Sequence, residues 1–376
     1  MDDGNGDVNF NNFCQFCIVC KIKKADNLIR QENTTHPNIP WDQQRHQITT
    51  MLKTLLYFSK APTWRILVLT DTPETFQEVL HMSEAFPSSQ RSRLSLEHQP
   101  IYITPEHALD RRPCDWAKLF LSELLPQEEA VIFLDTDIVF LGPGEQLYFL
   151  LSSLDETQAL ALSPDPQYLV ESNPRRDYAG DVGINTGVMA ANLTRLRKLP
   201  GGSSGTAITQ LGPIYPEPRD TQDVLNFYLK RNPQLLLTVS SRWNFLPSSA
   251  CLAEAPKCPD CSAMGILVLH GADGSFHRTI DLKVFSRAFT HLSLSVPPHQ
   301  LLSHIKEELS VIDRSSNVGE VGICGNYSDI SQDLLHNLEQ LVYGNEKVEC
   351  PLLADLLLPG EGVSRSSCET LGNLLA

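Results

Sequence analysis

"AVIFLDTDIVFL", residues Ala130 to Leu141, is an apolar run broken at its centre by two carboxylates, Asp135 and Asp137. The five residues before Asp135 read as a short central strand, buried on both faces. Side chains of a strand alternate with a period of two, so an extended Asp135-Thr136-Asp137 turns both carboxylates to one side with Thr136 opposed. Two carboxylates held that close repel, and one takes up a proton unless a divalent cation lies between them. The plainer alternative is a strand-end aspartate capping the next turn beside a solvated neighbour.

Working outward, short apolar runs alternate with helical patterns. Phe16 to Cys20 (FCIVC), Arg65 to Asp71 (RILVLTD) and Leu94 to Ile103 (LSLEHQPIYI) read as strands. Ile48, Met51, Leu52, Leu55 and Leu56 mark one helical face, and Trp116, Leu119, Phe120 and Leu124 another. Strand and helix in repetition predict an α/β fold, a parallel sheet with helices on its faces. Ligands of such sheets gather at the carboxyl ends of the strands, which is where Asp135 and Asp137 fall.

GILVLHG, Gly265 to Gly271, is a second apolar strand ending in a histidine and a glycine. His270 is well placed as a third ligand, and Gly271 permits close backbone approach. Taken alone, His270 reads better as a hydrogen-bonded surface histidine.

The 376 residues, 41% apolar and 20% charged, describe a globular chain with one large core or two moderate ones. A formal net charge of -15 argues against nucleic acid and anionic lipid as partners. A small anionic ligand needs only a local cation, such as a metal held by carboxylates. No stretch reaches the roughly 20 apolar residues of a membrane-spanning helix, and MDDGNGDVNFNNF has neither the basic nor the apolar region of a signal. No glycine-rich, basic triphosphate loop follows the first strand, which disfavours a nucleotidyltransferase.

Ten cysteines and three sequons, at Asn33, Asn192 and Asn326, point toward an oxidising compartment. Cys258-Pro-Asp-Cys261 has the spacing of half a zinc site with Cys251 close by, but nothing completes four ligands, so a disulfide-stapled loop is favoured. Cys14, Cys17 and Cys20 alternate faces in a strand and read as buried thiols.

The ordered set FLDTDIVFL, GDVGINTGVMAANLTRLRK, DTQDVLNFYLKRNP, SRWNF and ILVLHG resembles glycosyltransferase family 8, most closely the glucoside xylosyltransferases, over Phe13 to His277. The resemblance implies a GT-A fold, Rossmann-like and mostly parallel, and metal-dependent transfer of a sugar from a UDP-sugar donor with retention of configuration. It assigns Asp135, Asp137 and His270 to the metal, Mn²⁺ or Mg²⁺. It gives Lys118, Asn185, Gly187 and Gly271 to the donor, and Gln222 and Asp223 to the reacting sugar. Either the Gln222 amide oxygen or the Asp223 carboxylate would stabilise the cationic sugar.

Two departures stand out. Where the family has G-D-Q-D, this chain has Asp220-Thr221-Gln222-Asp223, a hydroxyl in place of the first carboxylate and Asp220 one place earlier. After His270, ADGSFH lacks the family lysine, with His277 as a stand-in. The DTQD segment also reads simply as a capped helix with Val224, Leu225 and Tyr228 facing the core.

The implied activity is transfer of xylose from UDP-xylose to a glycoprotein acceptor bearing O-linked glucose, on epidermal-growth-factor-like repeats. Another UDP-sugar (glucose, galactose or glucuronic acid) and a catalytically silent UDP- and metal-binding module remain open. The family is anchored in Golgi or endoplasmic reticulum membranes by an amino-terminal helix with its catalytic domain in the lumen. This chain has no such anchor, so the expectation is a catalytic fragment or an incomplete gene model.

The expected domains are a disordered start over 1–12, a transferase domain over 13–290 and a helical extension over 291–376. The extension's leucine-rich stretches either cap the transferase domain or bind a partner. Leu196 to Pro218 has the composition of a mobile loop over the site.

Overall fold

A computed structural model describes residues 14–18, 41–102, 116–169, 177–199, 220–247, 261, 265–278, 280–310, 334–336 and 338–339. Nine strands are present among them: β1 (Cys14–Ile18), β2 (Trp64–Thr70), β3 (Leu94–Pro100), β4 (Ala130–Leu134), β5 (Ile138–Phe140), β6 (Leu160–Pro164), β7 (Ile184–Asn192), β8 (Leu236–Thr238) and β9 (Val268–His270). Seven form one sheet in the order β3-β2-β1-β4-β7-β6-β8, and β5 pairs with β9 in a second.

The large sheet is mostly parallel, as expected. β3, β2, β1 and β4 run parallel, β6 runs parallel to β8, and β7 alone is antiparallel to its neighbours β4 and β6. The amino end of β7 therefore shares an edge with the carboxyl ends of β4 and β6. This edge gathers the functional side chains, as the rule for such sheets requires.

Alternation along the strands builds two cores. Leu67, Leu69, Val131 and Phe133 face one side with Leu119, Phe120 and Leu225; Ile66, Val68, Ile132 and Leu134 face the other with Met51, Leu52 and Leu55. The latter three belong to helix α1 (Trp41–Phe58), whose predicted apolar face is buried throughout. Helix α2 (Pro73–Glu84) starts where Thr72 accepts a hydrogen bond from the Thr75 N–H and Pro73 presets the first turn.

A third core lies on the small sheet. Val139, Leu141 and Leu269 pack there with Phe289 of helix α4 (Ile280–Thr290) and with Leu301, Leu302, Ile305 and Leu309 of helix α5 (Pro298–Ser310), joined by Leu334 and Leu338. In this part of the chain the leucine-rich pattern thus serves packing. Helix α3 (Thr221–Arg231) lies at the carboxyl edge of the large sheet, beside β7. Among the described residues no helix is long and apolar enough to cross a membrane.

Some boundaries differ from the reading of the sequence. The first strand is described over Cys14–Ile18 rather than Phe16 to Cys20, and of Gly265 to Gly271 only Val268–His270 pairs as a strand. Cys261 is disulfide-bonded, in keeping with a stapled loop, while Cys251 and Cys258 lie outside the described residues. Asn192 caps the helix Leu193–Arg197 by accepting from the Arg195 N–H; Asn33, Asn326, residues 1–12 and most of the glycine-rich 196–218 stretch also lie outside them.

Candidate functional site

The opening stretch spans a change of sheet. β4 ends at Leu134 in the large sheet, Asp135 to Asp137 make a bend, and β5 begins at Ile138 in the small one. The expected extended Asp135-Thr136-Asp137 with a period of two is therefore corrected: the carboxylates converge across a bend. Each flank is tied by backbone. Asp135 N–H donates to the Gly187 carbonyl of β7 at 2.8 Å, and Gly271 N–H, just after β9, donates to the Asp137 carbonyl at 2.7 Å.

Those two ties bring His270 into the same place. His270 pairs with Ile138 across the small sheet, and its Nε2 lies 3.3 Å from Asp137 and 3.9 Å from Asp135. Gly187 makes room for the ring: a β-carbon there would stand 2.0 Å from His270 Cε1. Gly271 likewise admits the Phe276 ring, 2.3 Å from where its β-carbon would be. Both glycines thus make room for side chains of this chain.

Asp135, Asp137 and His270 each offer a ligand atom, all within 4.8 Å of one another. Two carboxylate oxygens and an imidazole nitrogen suit Mn²⁺ or Mg²⁺. Neighbouring ligands of such an ion, with bonds of about 2.1 Å, sit about 3 Å apart and opposite ones about 4 Å, and the two carboxylate separations from His270 Nε2, 3.3 and 3.9 Å, fall in that range. The residues present therefore fit the metal.

Lys118 and His270 face the two carboxylates. Lys118 Nζ lies 2.8 Å from the Asp135 carboxylate, and the side chains of both are largely shielded. Burial opposes charge on Asp137 and His270 alike, yet their mutual attraction wins. It holds the His270 imidazole above its ordinary range, with help from Asp135, and the Asp137 carboxyl below its own.

A polar chain runs from this cluster across the sheet edge. Asn244 places its Oδ1 2.9 Å from His270 Nδ1 and donates from Nδ2 to Asn185 Oδ1 at 2.8 Å. Asn185 donates to Asp165 at 3.1 Å, and the same Asp165 oxygen accepts from Gln222 Nε2 at 2.8 Å. Gln222 Oε1 accepts from the Thr186 N–H at 3.0 Å. Helix α3 is pinned beneath β7 by Asn226, fully buried, whose amide accepts from the Ile184 N–H and donates to the Ile184 carbonyl.

Asp223 sits elsewhere. Its carboxylate is buried and accepts from the Tyr168 hydroxyl at 2.9 Å, while its N–H donates to Asp220, the α3 N-cap. Burial, then the carboxylates of Asp223, Asp220 and Asp165, push the Tyr168 hydroxyl well above its usual range. His277 Nε2 lies 3.1 Å from Gln47 of α1.

Of the residues expected at the site, Lys118, Asp135, Asp137, Gly187, His270 and Gly271 come together, and Asn185 and Gln222 join through Asp165. Reading the sequence missed Asp165, Thr186 and Tyr168, and gave Asn244 no role although it lies in SRWNF. LALSPD repeats the signal of VIFLD, an apolar strand followed at once by an aspartate, so Asp165 was within reach.

Residues 106–270 match the profile of glycosyl transferase family 8. The chicken (Gallus gallus) glucoside xylosyltransferase 1 is 28% identical over 254 residues, 62% of this chain and 57% of that protein. The human xylosyl- and glucuronyltransferase LARGE2 is 29% identical over 218 residues, 55% of this chain and 30% of that protein. This chain thus spans well under two thirds of either relative's length. The galactosyltransferase LgtC, crystallised with donor and acceptor sugar analogues, superposes with a TM-score of 0.51 at 17% identity, covering 78% of this chain and all of that one, a likeness of fold. The match to the glycosyl transferase family 8 profile thus lies within residues 106–270, under half of the chain, and the likeness to LgtC is one of fold.

Proposed function

We propose that this protein is a metal-dependent retaining transferase that moves xylose from UDP-xylose to an O-linked glucose on a glycoprotein. The observation that carries the reading is the convergence of Asp135, Asp137 and His270 at the carboxyl edge of the sheet, linked through Asn244 and Asn185 to Gln222. That geometry supports a site with a charged end and a sugar end.

Asp135, Asp137 and His270 would hold Mn²⁺ or Mg²⁺. When bound, such an ion supplies Lewis-acid stabilisation of the charge that develops on the departing UDP. Lys118 adds a fixed positive charge at the same end and holds Asp135 in place. At the other end, Gln222 and Asn185 share Asp165, so both amides keep one orientation without water's help, and they are the groups proposed to face the donor sugar. Asp223 contributes by holding Tyr168 beside Gln222 and by its charge. With retention, the acceptor hydroxyl attacks from the face that UDP leaves, and a UDP phosphate oxygen takes its proton. The domain limits 13–290 and 291–376 belong to this proposal. So does a lumenal setting in the Golgi or endoplasmic reticulum, which the Cys261 disulfide supports.

Donor identity is the open branch. Similarity to a xylosyl- and glucuronyltransferase favours UDP-glucuronic acid as the second choice. UDP release with Mn²⁺ and a panel of UDP-sugars, with and without a glucose-terminated acceptor, separates the readings. UDP-xylose alone, stimulated by acceptor, is expected. Equal release from several donors would replace the xylose assignment, and release from none would leave a silent binding module.

A further inference from the structure

We propose that Asn244 is a positioning residue that decides which nitrogen of His270 is offered to the metal, an inference that rests on the metal reading above. Two groups along the chain have a fixed polarity. The Gly187 backbone N–H can only donate, and the buried Asp165 carboxylate accepts from two amides. Asn185 lies between them, so its Oδ1 must face Gly187, at 2.8 Å, and its Nδ2 must face Asp165.

Asn185 Oδ1 also meets Asn244, which must therefore present its Nδ2 there and turn its Oδ1 to His270 Nδ1. An amide oxygen only accepts, so Nδ1 carries a hydrogen. The lone pair of the neutral ring then falls on Nε2, the atom 3.3 Å from Asp137 and 3.9 Å from Asp135. The neighbouring carboxylates would rather accept a hydrogen from Nε2, and a ring protonated there offers a cation no lone pair. Asn244 holds the outcome because it is fully buried, which keeps water from replacing it, and because the backbone around it is stapled to β9. Phe245 N–H donates to the Val268 carbonyl and His270 N–H to the Phe245 carbonyl, both at 2.9 Å.

The same chain makes Asn244 the joint between the two ends of the site. A shift at His270 reaches Asn185 and, through Asp165, Gln222, by four hydrogen bonds.

The test compares the full chain with Asn244→Leu, which keeps the branching at Cγ and removes both acceptor and donor, and with Asn244→Asp, which restores an acceptor to Nδ1 but not the donor to Asn185. Two quantities are read: the ring nitrogen shifts and couplings of His270 by NMR without metal, at a pH where the ring is neutral, and the affinity for Mn²⁺ in the presence of UDP. The expected result is a wild-type ring protonated at Nδ1 and an Asn244→Leu ring that moves toward Nε2–H. Mn²⁺ affinity should fall about 10–100-fold in Asn244→Leu, and Asn244→Asp should recover most of it. If Asn244→Leu does not fold, Asn244→Ser, too short to reach Nδ1, is expected to show the same loss. A wild-type ring protonated at Nε2, or variants that bind Mn²⁺ like wild type, overturns the role of Asn244 alone. Wild type that gives no Mn²⁺ signal overturns the metal centre itself.

Discussion

Asp135-Thr136-Asp137 and Asp220-Thr221-Gln222-Asp223 share nearly the same letters and meet opposite fates. At the first, the chain leaves one sheet for another, and neighbouring strands satisfy the backbone on both sides: Gly187 accepts from Asp135, and Gly271 donates to Asp137. The carboxylates are left to gather around His270 and Lys118. At the second, a helix begins. Its first turn has unsatisfied N–H groups, and Asp220 is spent on one of them. Asp223 turns inward to Tyr168. Backbone demand, more than residue identity, decides which aspartates are free for chemistry.

The comparison breaks most sharply at the first motif. Asp135→Asn and Asp137→Asn should each cut UDP release about a hundredfold or more, because each removes a ligand charge at the proposed metal without changing volume. Wild type should gain about 2.7 kcal/mol of stability from Mn²⁺ and UDP at a hundredfold excess over the dissociation constant, and either variant should lose most of that gain. The structure also revises what unliganded protein should do. Carboxylates that merely repel would make such variants more stable. Here His270 holds Asp137 below its usual range, so ionised Asp137 stabilises the fold above the unfolded carboxyl range, and Asp137→Asn should melt earlier than wild type at neutral pH. A variant that melts earlier yet keeps the full ligand response would return the pair to a structural role.

Gly187→Ala probes the same corner from the backbone. The added methyl would stand 2.0 Å from His270 Cε1, so the ring or the strand must move. Overpacking of this kind costs about 1–3 kcal/mol. The telling measurement is the shift in melting on adding Mn²⁺ with UDP, which should shrink more than the unliganded stability does. An unchanged shift would mean that His270 does not bind the metal.

How much of this could be read in advance follows the same divide. β4 was legible residue for residue, because a buried strand of Val, Ile and Leu announces itself, and so was the α1 face at Ile48, Met51 and Leu55. The bend at Asp135 to Asp137 was not, since it depends on β5 leaving for the small sheet, and no local pattern records which partner a strand will find. Asp165 and Asn244 were missed for a related reason. Their roles lie in hydrogen bonds to residues far along the chain: Asn244 meets Asn185 at a separation of 59 positions. Asp220 was noticed only as a misplaced carboxylate.

The smallest expected effect settles that carboxylate. Where the resemblance to family 8 implies an acidic residue this chain has Thr221, buried and with no charge to offer, and Asp220 one place earlier is the carboxylate within the motif that stands nearest to replace it. In the structure Asp220 has other work. Its Oδ1 accepts from the Asp223 N–H at 2.9 Å, the geometry of an N-cap, and its negative charge lies at the positive end of the α3 dipole. If capping is its role, Asp220→Ala should cost about 0.5–2 kcal/mol in chemical denaturation, and Asp220→Asn should recover most of that loss because it still accepts. UDP release should then stay within a few-fold of wild type in both, since Gln222 remains tied to Asp165 and Thr186. If Asp220 instead replaces the missing carboxylate, Asp220→Asn should fold as well as wild type and lose transfer while keeping its response to Mn²⁺ and UDP. Measuring stability and UDP release on these two variants separates the roles, because a cap needs only an acceptor and a catalytic carboxylate needs its charge.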